Sequence, residues 1–65
     1  ADRLIGETGV VVADLDPQAE KLGTVRIGRE EWPAQAADGQ LIVSGSSIEV
    51  IEIQGTRAIV RTINN

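Results

Sequence analysis

Acyl transfer and hydrolysis at neutral pH draw most often on His or Cys, and this sequence contains neither. Ser-His-Asp and Cys-His arrangements are therefore excluded for this segment, along with the commonest transition-metal ligands. The remaining groups with chemical potential are carboxylates, arginines and one lysine. Acidic pairs occur at Asp14 and Asp16, at Glu30 and Glu31, and at Glu49 and Glu52. General acid–base work needs one member of a pair desolvated, whereas these positions fall at turns or on outward strand phases. They are read as solvated acids. Asp14-x-Asp16 offers two oxygens to a calcium ion but lacks the further spaced ligands and closing Glu of an EF-hand loop. Lys21 lies beside Glu20 in a polar segment and is read as a surface charge. The spacings Gly6-x-x-Gly9 and Gly23-x-x-x-x-Gly28 match no phosphate-binding loop and are read as turn and bulge positions. No catalytic, cofactor-binding or metal-ligating residue is assigned. The segment is expected not to be an enzyme and to need no cofactor, and its partner-binding positions are unknown at this level.

The charge balance narrows the partners. Ten Asp and Glu against six Lys and Arg give a net charge of −4, which disfavours phosphate backbones and acidic headgroups. Arg26, Arg29, Arg57 and Arg61 are the cations whose gathering on one face would oppose that reading. Trp32 is the only aromatic residue, and its phase, shared with Ala34 and Ala36, predicts that it caps the core rather than stacking a base or a partner.

The elements that must position these groups are short. Val, Ile and Thr cluster in five runs separated by Gly, Asp, Asn and Ser, the signature of an all-β chain. The first run spans residues 7–15 and is stopped by Pro17; residues 18–21 have room for about one helical turn. The second, 23–27, alternates with Val25 and Ile27 inward. Gly28-Arg29 then turns into the third, 30–36, where Pro33 predicts an edge strand. Residues 40–43 read as an extended connection. In the fourth run Ile48 and Val50 share one phase while Ile51 and Ile53 share the other, which predicts a β-bulge at Val50-Ile51. Gln54-Gly55 is read as a hairpin connection into the fifth run, 56–63, with Ala58 and Val60 inward and Arg57 and Arg61 outward. Asn64-Asn65 reads as a frayed polar tail.

A chain of 65 residues supports one domain with a thin core, so residues 1–65 are read as a single domain. Five strands, one of them bent, predict a five-stranded OB-type barrel, with an SH3-like barrel as the alternative. The sequence contains no Met, so it is expected to be a segment of a longer protein.

Taken in order, Gly6-x-x-Gly9, Leu15-x-Pro17, Gly23-x-Val25-x-Ile27-Gly28, Glu30-x-Trp32-x-Ala34, Gly45, Ile48-x-Val50 and Ile53-x-Gly55-x-x-Ala58-x-Val60 resemble the C-terminal soluble domain of the NfeD family. The resemblance covers nearly the whole chain. It implies an OB-type barrel carried after transmembrane helices in a membrane-anchored parent, with the domain on the cytoplasmic side. It also implies stomatin-, prohibitin- or flotillin-like membrane proteins as partners. Long family members carry an N-terminal serine protease domain, of which this segment contains nothing. The function expected from the resemblance is a non-catalytic protein-interaction domain that docks on or modulates such a partner, and an associated membrane protease with it. The alternative, from the barrel and the outward arginines, is a single-stranded nucleic-acid binding module.

Overall fold

The computed structural model describes residues 4–63. Five strands follow in chain order: β1 (Thr8–Ala13), β2 (Gly23–Ile27), β3 (Glu30–Ala36), β4 (Ser47–Gln54) and β5 (Arg57–Thr62). They close into a barrel in the order β1-β2-β3-β5-β4, with β4 returning to β1. Every pairing is antiparallel except β3 with β5, which is parallel. This is the OB-type arrangement, and the SH3-like alternative is set aside.

The bounds of β2 and β3 match the sequence reading, because in both segments strict alternation is bounded by glycine or a turn dipeptide. β1 is shorter than the run at 7–15. Leu15 leaves the strand and instead forms an isolated antiparallel bridge to Ile42 in the β3–β4 connection. The register of β1 against β2 shifts between Val11 and Ala13, so Val12 is a second bulge that the sequence did not disclose. Residues 18–21 form turns rather than a helical turn; the Asp16 side chain accepts from the Gln18 amide, a local bond that competes with helix.

Pro33 does not mark an edge strand. β3 pairs with β2 along its length, but its pairing to β5 begins only at Ala34. Pro33 thus sits on the half of β3 that is free on the β5 side, where a missing N–H leaves no ladder bond unmade. The predicted bulge in β4 is present: the register against β5 shifts between Val50 and Glu52. Ile53 turns in to pack on the core, while Ile51, the extra residue, is left exposed. The β4–β5 loop is Gly55-Thr56, one residue beyond the expected dipeptide, because Gln54 pairs with Arg57. Gly55, at φ 62°, takes its first position, as a two-residue hairpin of the II′ kind requires. The expected tail at Asn64-Asn65 lies outside the described residues.

The core is aliphatic: Val11, Leu15, Val25, Ile27, Ala34, Ala36, Ile42, Ile48, Val50, Ala58 and Val60 are buried together. Trp32 packs against this cluster while half-buried, and its indole N–H donates to Glu30 Oε1 at 3.1 Å. The ring caps the barrel and its polar edge is satisfied at the rim, as expected for a Trp with one apolar and one wet side. Gly23 is set by close approach: a Cβ there would lie 2.3 Å from the Asp14 carbonyl oxygen. β2 can therefore start hard against the end of β1, where the Val12 bulge curls the sheet.

Candidate partner-docking surface

The acidic pairs are distributed among structural duties. Asp14 Oδ1 accepts the Ser44 amide at 2.7 Å, tying the β3–β4 connection to the end of β1. Asp16 closes a turn at Gln18. Glu30 receives the Trp32 indole, and Glu31 pairs with Arg26 at 3.0 Å. Glu49 pairs with Arg61, and Glu52 accepts from the Gln54 side chain. No pair is brought together for acid–base work, and among the described residues no group of three or more potential metal-ligating side chains forms. The glycine spacings are backbone features: Gly6 and Gly28 have positive φ, and Gly9 and Gly23 lie in strands against neighbouring carbonyls.

The outward arginines do not act as one cationic groove. Arg26 lies on β2 and is held by Glu31 of β3, while Arg57 and Arg61 lie on β5 and engage Gln35 and Glu49. Arg29 is apart at the β2–β3 turn. Lys21 borders a shallow cleft of about 200 Å³ between the β1–β2 loop and the β3–β4 connection, in company with Leu22, Pro17 and Gln40.

The outer wall of the barrel differs from one side to the other. On β5, Ile59 points away from the core yet is only 5% exposed. It faces Gln35 across β3 and Glu52 across β4, and Arg57, the next outward residue along β5, donates to Gln35 at 2.9 Å. Long polar side chains thus roof an apolar one. On β1 nothing comparable occurs. Val10 and Val12 are 37% and 45% exposed, and Leu41 and Val43 in the β3–β4 connection are 55% and 52% exposed.

These four residues share one wall because residues 42–46 are stitched along β1. Leu15 and Ile42 exchange two backbone bonds, the Gly45 amide donates to the Val11 carbonyl, and the Val11 amide donates to the Ser46 carbonyl. Leu15 and Ile42 both point into the core, so their neighbours Leu41 and Val43 point out, alongside the outward residues of β1. Sequence reading missed this wall. The run Val10-Val11-Val12 has no alternation to show which members are buried, and the β3–β4 connection was read only as an extended link.

Comparison with known proteins then supplies a family. Residues 1–61 match the family described as NfeD-like C-terminal, partner-binding domain. Comparison with curated protein sequences returns no match. Among solved structures, the chain is similar to the C-terminal domain of stomatin operon partner protein 1510-C from Pyrococcus horikoshii. That likeness has a TM-score of 0.85 and 27% identity and covers 95% of this chain and 91% of that one. The chain is also similar to the soluble domain of a membrane protein implicated in regulation of membrane protease activity from Corynebacterium glutamicum. Here the TM-score is 0.78 and the identity 34%, covering 88% of this chain and 87% of that one. With a match that runs through all five strands, the chain belongs to the NfeD family, as its C-terminal, partner-binding domain.

Proposed function

We propose that this barrel is the non-catalytic interaction domain of an NfeD-like membrane protein. It docks on, or modulates, a stomatin-, prohibitin- or flotillin-type partner and, through it, an associated membrane protease. The observation that carries the reading is the family match over residues 1–61, in a family defined by partner binding. The likeness to a stomatin operon partner and to a protein implicated in protease regulation supports the choice of partner class. Residues 1–65 form one domain of a longer chain whose other parts hold it at the membrane, and the domain faces the cytoplasm.

The inventory of side chains supports a binding role. The paired acids are spent on turns, a Trp cap and ion pairs, and the sequence has no His or Cys. The oligonucleotide reading loses support, since Arg26 and Arg61 are already paired with Glu31 and Glu49. The test is capture of stomatin-, prohibitin- and flotillin-type proteins of the host by the chain and by its full-length parent. Selective retention of one such protein is expected. Failure of both baits to retain any of them contradicts the proposal.

A further inference from the structure

We infer that the wall formed by Val10, Val12, Leu41 and Val43 is the docking surface, and that its occupant is an amphipathic helix of the partner carrying Lys or Arg at one end. The inference rests on the partner-binding reading and deepens it by naming the surface and the chemistry of what covers it.

Closure of the barrel sets the mode of contact. β1 is hydrogen-bonded to β2 on one side and to β4 and residues 42–46 on the other. It presents no open edge to which a partner strand can add, so recognition has to proceed through side chains. A helix, whose own backbone bonds are internal, meets that condition. The wall follows β1 and its continuation to Leu15 for about 20 Å at strand rise, which a helix of about 13 residues spans.

Charge selects the ends. Asp16 follows Leu15, which is bridged to Ile42, so its carboxylate lies at the Leu41 end of the wall. Asp14, bonded to the Ser44 amide, lies beside Val43. Among the described residues neither takes part in an ion pair. Along the flanks, by contrast, Arg26 opposite Val10 is neutralised by Glu31, and Glu49 opposite Thr8 by Arg61. The flanking charges are paired, and at the Leu41 end the carboxylates of Asp14 and Asp16 outnumber the one ammonium nearby, that of Lys21 in the cleft Asp16 also lines. This end is therefore net acidic and favours a cationic end on the helix laid there. On β5, by contrast, the outward Ile59 is buried beside Gln35, Arg57 and Glu52, whereas the four aliphatic residues of the wall stay exposed.

The probe is a synthetic peptide of about 14 residues with Leu at helical spacing on one face, Lys at one end and Gln elsewhere. Titrated into the chain, it is expected to shift the NMR amide signals of Val10, Val12, Leu41 and Val43 before others. A peptide with Glu in place of Lys should bind about tenfold more weakly or worse. The double variant V12S/V43S changes exposed positions only, so it should keep the dispersed spectrum of the folded chain and lose binding by about tenfold or more. Asp14→Asn with Asp16→Asn, which keeps the turn acceptors, should remove the preference for Lys.

Absence of shifts at millimolar peptide, shifts confined to another face, or undiminished binding by V12S/V43S overturns the inference. So does a dimer in sedimentation that V12S/V43S dissolves, because the occupant is then a second copy of the chain. The two readings separate cleanly. If the wild-type chain and V12S/V43S capture a stomatin-type protein equally, the surface is wrong and the partner class stands. If neither captures one but the peptide maps to the wall, the partner class falls and the surface stands.

Discussion

On the outer face of β5, Ile59 is buried outside the core cluster, beside Gln35 and Glu52 on the neighbouring strands. Removing it in Ile59→Ala should cost about 1.5–3 kcal/mol, the range for uncovering a fully buried aliphatic side chain. Arg57→Ala, which lifts one side of the roof and breaks the bond to Gln35, should cost about 1 kcal/mol. Urea unfolding checks both, with a lowered midpoint at unchanged slope. Glu31→Gln makes the useful contrast. The Arg26 and Glu31 side chains are 58% and 48% exposed, so breaking that pair should move stability by less than about 0.5 kcal/mol. A larger loss would mean that the outer ion pairs hold the barrel together, against the aliphatic core described above.

At the scale of elements, closure depends on places where the backbone departs from a plain strand. A Cβ on Gly23 would meet the carbonyl oxygens of Asp14 and Ala13 and the Leu15 side chain. Gly23→Ala should therefore destabilise by about 1–3 kcal/mol, and thermal unfolding should register it as a Tm lowered by at least about 5 °C. An unchanged Tm would show that β1 and β2 can separate at this corner without cost. The bulge in β4 was legible in the sequence because Ile48, Val50, Ile51 and Ile53 cannot all lie on one face of an uninterrupted strand. The bulge at Val12 was not, because Val10, Val11, Val12 and Ala13 are apolar throughout and carry no phase. Pro33 misled for a different reason. Proline reports a missing donor, and whether that donor is needed depends on how far β5 reaches along β3, a tertiary fact. The docking wall shares that origin: Leu41 and Val43 join Val10 and Val12 only through the stitching of residues 42–46 along β1, which spans some 30 residues of sequence.

For the whole molecule, a closed barrel in which β1 has no free edge, with an aliphatic core and an uncovered apolar wall along β1, is suited to holding another protein through side chains. Membership in a family of partner-binding domains agrees with that design, and the partner proposed above is a membrane-associated protein of the stomatin type. The most direct measurement is calorimetric titration of the purified chain into a stomatin-type protein from the same organism, repeated at several temperatures. Saturable binding with a negative heat-capacity change is expected, as burial of the Val10–Val12–Leu41–Val43 wall requires. Absence of binding to every stomatin-, prohibitin- and flotillin-type protein of that organism, by this chain and its full-length parent alike, would contradict it.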